Sequence, residues 1–188
     1  MLGGFLKISS ISNIRHIPRT GWVLRGVPPS IAETISDHIV LVMLVSLKIT
    51  EKLLESGYNL DIAKVLIMGL LHDLPETVTG DIVRYVKEED PSYFRRLDEK
   101  SLEMLGMSRY IGVYREFEEK KTLESIVVKI SDSLATIIEG RRLESQGYFE
   151  VKEIVENMMN QVKHLISSVN DPALRNRLNE CVREIMEN

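Results

Sequence analysis

Residues Val65–Asp73 read VLIMGLLHD, an apolar run that ends in a histidine and an aspartate. Imidazole and carboxylate groups are both good ligands for divalent first-row metals. An ionised aspartate beside an apolar run is costly to bury unless a positive charge pairs with it. The segment therefore predicts an apolar helix whose end delivers two metal ligands, His72 and Asp73, to a buried site.

The rest of the chain shows helical periodicity, and strand-like alternation is nearly absent. We therefore expect a single all-α domain over residues 1–188. The expected helices are Phe5–Ile14, Ile31–Ser56, Asp61–Leu74, Pro91–Gly106, Met107–Lys120, Thr122–Gln146, Glu150–Ser168 and Pro172–Met186. Glycine and proline residues predict an extended segment at Pro18–Pro29 and a loop at Pro75–Gly80.

Composition excludes several classes of protein. The net charge of −4 argues against a general nucleic-acid binder, which would show a basic face. The longest apolar run, Ile39–Val45, is far too short to span a membrane, and the N-terminus lacks the apolar core of a secretion signal. A lone cysteine, Cys181, excludes an internal disulfide. We expect a cytoplasmic protein that binds neither nucleic acid nor membrane.

Two further candidate ligands lie on other predicted helices. His38 shares an apolar helix face with Val42, and Asp132 lies on a largely apolar helix, so both are expected to point inward. Together with His72 and Asp73 they form a set of two nitrogens and two oxygens inside a helical bundle. That set suits Mn, Fe, Co, Ni or Zn, accepts Mg, and leaves positions open for water and phosphate oxygens. We expect one divalent metal.

Each candidate ligand taken alone has a simpler explanation. A lone histidine on an apolar face is more often a hydrogen-bonded core residue, and an alternative for Asp132 is an ion pair with Lys129 or Arg141. The combination favours a metal site, because the chain has four histidines and two of them fall at these places. The others, His16 and His164, are expected on the surface or in loops.

Two more carboxylates follow the histidine-aspartate pair. Glu76 lies one helical turn beyond His72, where it could take a proton from a metal-activated water. Asp81 follows a turn and could orient a ligand, bind a substrate hydroxyl or protonate a leaving group. The alternative for Asp81 is a capping role at the start of the next helix.

The segment Arg19-Thr20-Gly21-Trp22 suits a nucleotide ligand. The Arg19 guanidinium can bind a phosphate through two hydrogen bonds, and the Trp22 indole can form a flat wall. The alternative is a surface arginine and a tryptophan that anchors the loop in the core.

In their order along the chain, these motifs resemble the HD-domain metal-dependent phosphohydrolases, and most closely the 5′-deoxynucleotidase branch. The matching residues are Arg19-Thr20-Gly21-Trp22, Ser36-Asp37-His38, His72-Asp73-Leu74-Pro75-Glu76, Thr79-Gly80-Asp81 and Lys129-Ile130-Ser131-Asp132. The resemblance covers residues 15–140, the core of such a domain, and leaves residues 150–188 as closing helices.

The resemblance implies an all-α HD-domain bundle with a central divalent metal, commonly in a homodimer. The implied metal ligands are His38, His72, Asp73 and Asp132, with Asp73 also counted among the catalytic groups. Glu76 would activate the attacking water, and Asp81 would assist at the sugar or the leaving oxygen. Arg19 would contact the phosphate, and Trp22 would shape the sugar pocket.

We therefore expect a metal-dependent phosphomonoesterase that acts on small-molecule (deoxy)nucleoside 5′-monophosphates. One alternative is an HD hydrolase of another phosphate ester, such as a nucleoside triphosphate, a cyclic nucleotide or ppGpp. Binding a polyphosphate would require more positively charged side chains than Arg19 and Arg25. The other alternative is a non-catalytic helical module with a structural metal, which would leave Glu76 and the Arg19 segment without a role.

Overall fold

The computed structural model describes residues 8–187, and it confirms the all-α fold. Its helices are α1 (Ile8–Ile11), α2 (Thr20–Val23), α3 (Ile35–Glu55), α4 (Ile62–Leu71), α5 (Glu76–Thr79), α6 (Arg84–Lys87), α7 (Pro91–Met104), α8 (Ile111–Glu119), α9 (Leu123–Ser145), α10 (Lys152–Ser167) and α11 (Pro172–Glu187). Short 3₁₀ helices lie at Ser12–His16, Ser108–Tyr110 and Phe149–Val151. Within residues 8–187 an isolated bridge between Pro18 and Thr34 is the one β-type pairing. Residues 5–7 of the first expected helix lie outside the described residues.

Helix α9 lies at the centre of the bundle and packs against α3, α4, α8 and α10. Its Val128, Ile130 and Leu134 are almost completely buried in the main core. Burying an aliphatic side chain of this size contributes about 1.5–3 kcal/mol. A smaller core forms around Trp22 and Leu143, where the segment before α3 packs on the C-terminal part of α9.

Helix α3 begins later than its periodicity suggested, at Ile35 rather than Ile31. A reciprocal cap sets this start. The Thr34 hydroxyl accepts from the Asp37 backbone N–H at 3.2 Å, and the Asp37 carboxylate accepts from the Thr34 N–H at 2.9 Å. The cap places His38 in the first turn of α3, close to the segment that carries Arg19 and Trp22.

Two segments that we expected to be irregular contain short helices. The segment Pro18–Pro29 contains α2, and the loop Pro75–Gly80 contains α5. Helix α4 also ends at Leu71 instead of Leu74, with His72 as its C-terminal cap residue. The first backbone N–H of α2 donates to the carboxylate of Asp81, a residue remote in sequence. Periodicity alone does not reveal a contact of that kind.

Other helix ends follow the local rules. Asp61 caps α4 by accepting from the Lys64 N–H at 3.0 Å, Pro91 is the first residue of α7, and Thr122 caps α9. Within residues 8–187, none of the helices combines the length and apolar character that crossing a bilayer requires.

Candidate metal centre

The structure brings His38, His72 and Asp73 together where α3 and the end of α4 meet. The Nε2 atom of His38 lies 3.8 Å from Asp73 Oδ2, and that of His72 lies 3.3 Å from the same oxygen. Each of the three offers a ligand atom within 4.8 Å of the others. Both imidazoles are buried. Three groups at this spacing form a candidate site for a single cation.

Asp132 reaches the cluster from α9. Its Oδ1 accepts a hydrogen bond from His38 Nε2 at 3.1 Å. The expected alternative partner Lys129 instead pairs with Glu118 at 2.9 Å and lies over the ring of Phe117. Asp132 therefore lies beside the three-residue cluster, and its role as a fourth ligand stays a prediction.

The orientation of His72 suits metal binding. Its Nδ1 donates to the Gly69 carbonyl at 2.7 Å, one turn earlier in α4, which leaves the Nε2 lone pair free. The ring of Phe117 packs edge-on against the imidazole at 6.1 Å between centroids. Among the described residues no group makes a hydrogen bond with His72 Nε2, although that atom is buried. A bound cation would satisfy it.

The carboxylates of the cluster favour positive charge at its centre. Burial and the Arg19 charge oppose a protonated His38, but its hydrogen bond with Asp132 and the nearby Glu33 carboxylate prevail and raise the pKa of His38 to about 9. Burial opposes an ionised Asp73, but its contacts with His72 and Arg19 hold its pKa well below the usual range. The residues thus fit a divalent cation, which would replace the proton on His38 Nε2.

Arg19 and Asp81 both lie at the candidate centre. The Arg19 Nη1 atom makes an ion pair with Asp73, and both side chains are mostly buried. Asp81 accepts from the backbone N–H of Thr20, and its own carbonyl accepts from the Thr20 hydroxyl at 2.9 Å. Asp81 therefore holds the Arg19 segment, and the alternative that it caps the following helix is wrong, because α6 begins at Arg84 without a side-chain cap.

Trp22 is only 2 % exposed. It packs in the smaller core, where Gly140 leaves room for the indole ring, and its Nε1 donates to Glu33 at 3.0 Å. Because so little of the ring is exposed, the structure favours the alternative that Trp22 anchors its loop in the core. Its role as a substrate contact stays a prediction.

Glu76 is a deeply buried carboxylate, 2 % exposed, at the start of α5. Its Oε1 accepts from Lys87 Nζ at 2.8 Å, and its Oε2 has no hydrogen-bond partner among the described residues. Burial and the charge of Asp73 raise the pKa of Glu76 well above its usual range, while the Lys87 charge opposes that rise. A carboxylate of this kind beside a metal is suited to accept a proton from water.

Sequence reasoning missed two residues of this site, Glu33 and Lys87. Glu33 lies before the cap of α3, and Lys87 lies on α6, a helix of only four residues. Both reach the site through contacts between segments, and nothing in the local sequence around either residue indicates its partner.

A helical bundle in which one helix supplies a histidine and the next ends in a histidine-aspartate pair defines a class of metal-binding helical domain. The chain matches the HD-domain family over residues 11–171, and it belongs to that family. This confirms the resemblance that the motifs indicated.

Curated relatives carry the name 5′-deoxynucleotidase. The chain is 29% identical over 152 residues to 5′-deoxynucleotidase HDDC2 of Dictyostelium discoideum, covering 77% of this chain and 78% of that relative. It is 27% identical over 175 residues to 5′-deoxynucleotidase YGK1 of Saccharomyces cerevisiae, covering 89% and 74% of the two chains.

Solved structures share the whole fold. A conserved hypothetical protein from Pyrococcus furiosus superposes with a TM-score of 0.81 at 27% identity, covering 96% of this chain and 98% of that one. A protein from Pyrococcus horikoshii gives a TM-score of 0.80 at 24% identity, covering 96% of each chain, which shows the fold alone.

Proposed function

We propose that this chain is a metal-dependent phosphohydrolase that releases phosphate from deoxynucleoside 5′-monophosphates. The observation that carries the proposal is the cluster of His38, His72 and Asp73 beside a buried, partly unpartnered Glu76. Membership of the HD-domain family and the similarity to proteins named 5′-deoxynucleotidases support it.

The proposed ligands are His38, His72, Asp73 and Asp132. A divalent cation held there would supply Lewis-acid activation of water and of a phosphate oxygen. Glu76 would take the proton of the attacking water on its Oε2, which faces no other described donor. A general base of this kind contributes about 10²–10⁴-fold to the rate.

Arg19 is the proposed phosphate contact. A guanidinium has five N–H donors, and Asp73 engages only its Nη1 atom, so other donors remain for phosphate oxygens. Asp81 would assist at the sugar or leaving oxygen while it holds the Arg19 segment. In the proposal Trp22 shapes the sugar pocket through the position that it gives to this segment.

The charge balance favours a monoester over a polyphosphate. Among the described residues, Arg19 and Lys87 are the lysine or arginine side chains that pair directly with Asp73 and Glu76, respectively. Both cations are thus already paired, and with one metal ion this matches a single phosphate group better than a triphosphate.

Three finer points belong to the proposal. The mixed nitrogen and oxygen donors suit Mn, Fe, Co, Ni or Zn. We also propose a homodimer, as the family resemblance implies, and a cytoplasmic location. The mass of the protein in solution tests the oligomeric state.

Release of inorganic phosphate from a panel of nucleotides tests the activity. The panel contains deoxy- and ribonucleoside 5′-monophosphates, 3′-monophosphates and triphosphates, each with Mn²⁺, Co²⁺, Ni²⁺ or Mg²⁺. We expect turnover of the deoxynucleoside 5′-monophosphates. Folded protein that releases no phosphate under any of these conditions would contradict the proposal, and pyrophosphate or triphosphate as product would favour the alternative hydrolase.

The variant Glu76→Gln separates catalysis from metal binding. We expect kcat to fall by roughly 10²–10⁴-fold, with bound metal retained, because Glu76 is not among the proposed ligands. The matched control is Glu118→Gln, which removes a half-buried carboxylate paired with Lys129. Unchanged turnover in Glu76→Gln would remove Glu76 from the mechanism and favour a structural metal.

A further inference from the structure

We propose that Glu33 is a positioning residue of the metal centre, because one of its oxygens accepts a hydrogen bond from the indole of Trp22 and lies beside the imidazole of His38. The inference rests on the proposed metal site. It assigns Glu33 two tasks, which are to fix the orientation of a metal ligand and to hold the Arg19 segment against that ligand.

Glu33 is a buried carboxylate, 8 % exposed, that faces two buried rings. Its Oε1 accepts from Trp22 Nε1 at 3.0 Å and lies 3.6 Å from His38 Nδ1. No described group makes a conventional hydrogen bond with that Nδ1 atom, although His38 is fully buried. A buried imidazole nitrogen without a partner is unfavourable, and the adjacent carboxylate is the group that can offset this cost.

The main chain of Glu33 is held as firmly as its side chain. Its carbonyl accepts from the Arg19 backbone N–H at 2.9 Å, and the next residue, Thr34, is the cap of α3. The segment that carries Arg19, the start of α3 and the ring of His38 therefore meet at one residue. A displacement of Glu33 would move the proposed phosphate contact and the proposed ligand together.

The carboxylate also determines which nitrogen of His38 faces the cation. An ionised carboxylate only accepts hydrogen bonds, so it favours a proton on Nδ1 and leaves Nε2, the nitrogen near Asp73 and Asp132, to bind a cation once its own proton is displaced. Carboxylates in this position raise the basicity of a ligating histidine, and their loss typically lowers metal affinity about 10–100-fold.

The test compares Glu33→Gln with Glu139→Gln. Both carboxylates are 8 % exposed and line the same cleft of about 640 Å³, but Glu139 pairs with Arg142 instead of a site residue. Calorimetric titration with Zn²⁺ is expected to show about 10–100-fold weaker binding in Glu33→Gln and wild-type binding in Glu139→Gln. Zn²⁺ suits this test because it has no redox chemistry.

A second readout uses the only tryptophan of the chain. Because Glu33 contacts both rings, Zn²⁺ binding in the wild type is expected to change Trp22 emission, and Glu33→Ala is expected to lose that change. A third readout needs no variant. In the zinc-loaded wild type, ¹⁵N NMR of the histidines is expected to show His38 with a protonated Nδ1 and a metal-bound Nε2.

Zinc affinity in Glu33→Gln equal to that of the wild type, or an equal loss in Glu139→Gln, would overturn the inference. A zinc-bound Nδ1 in His38 would overturn it even if no Glu33 variant folds. If the wild type binds zinc but releases no phosphate from any nucleotide, the proposed activity fails while the role of Glu33 is still decided by these titrations. A wild type that binds no zinc overturns both the metal centre and this inference.

Discussion

Glu76 and Lys87 form a largely buried ion pair at the candidate site, with 3 % of the Glu76 side chain and 30 % of the Lys87 side chain exposed. The pair matters because the two charges act in opposite directions on the proposed base. Burial and the Asp73 charge raise the pKa of Glu76, and the ammonium group of Lys87 lowers it. A base must be ionised to act, so Lys87 extends its working range toward lower pH.

The variant Lys87→Met should therefore move the acid limb of the pH profile to higher pH. Without the ammonium group the pKa of Glu76 rises further, so a smaller fraction is ionised at a given pH below that pKa. We expect kcat to fall most below neutral pH and to recover toward the wild-type value as the pH increases. Phosphate release measured from pH 5 to pH 9 checks this.

A control on the same short helix is Arg84→Met. Arg84 pairs with Glu88, which is exposed, and with Gln161, so its loss removes a positive charge from α6 but leaves the partner of Glu76 in place. An acid limb that shifts equally in both variants would show that Lys87 acts through overall charge and not through its contact with Glu76.

The residues that carry the chemistry were only partly predictable. The sequence indicated His38, His72, Asp73 and Glu76, because histidines are few and the pair ends an apolar run. Glu33 and Lys87 were not predicted, because each meets its partner through a contact between segments. In the sequence, an acidic residue or a lysine in a polar stretch looks like an ordinary surface residue.

At the scale of helices, the contact between α9 and α10 depends on Gly140. A methyl group at this position would come within 2.4 Å of Val155 Cγ2 on α10 and 3.3 Å of Trp22 Cη2. Valine has little rotational freedom to move away. The absence of a side chain at Gly140 therefore allows both α10 and the Trp22 ring to pack on α9.

We expect Gly140→Ala to lower the free energy of unfolding by about 1–2 kcal/mol. Overpacking a core costs about 1–3 kcal/mol, and the better helix propensity of alanine offsets up to about 1 kcal/mol of that. Gly112→Ala in α8 is the matched control, since a methyl group there meets no described atom within 4 Å. Urea unfolding measures both. A Gly140→Ala protein as stable as Gly112→Ala would contradict the packing argument.

Helix positions were predictable where the decisive interaction is local. Asp61, Pro91 and Thr122 act within their own helix starts, and the sequence located all three. The short helix α2 was not predictable, because its first N–H is satisfied by Asp81, from a segment remote in the chain. The cap at Thr34 is also local, but apolar residues before it led to a predicted helix start at Ile31 instead of Ile35.

At the scale of the whole molecule, the candidate ligands lie on parts of the chain that are far apart in sequence. His38 belongs to α3, His72 and Asp73 follow α4, and Asp132 belongs to α9. An unfolded chain does not hold these groups together, so a cation binds the folded state and stabilises it by mass action. The ion proposed to activate water would therefore also hold α3, α4 and α9 together.

Addition of Mn²⁺ at roughly one hundred times its dissociation constant should raise the free energy of unfolding by about 2.7 kcal/mol relative to protein in EDTA. For a chain of this size that corresponds to an increase in Tm of roughly 5–10 °C. His72→Ala should lose most of this gain, because it removes a ligand whose Nε2 has no other hydrogen-bond partner among the described residues. His164→Ala is the matched control, since His164 is exposed on α10 and should leave the gain unchanged. If Mn²⁺ stabilises His72→Ala as much as the wild type, the ion binds elsewhere and the proposed ligand set is wrong.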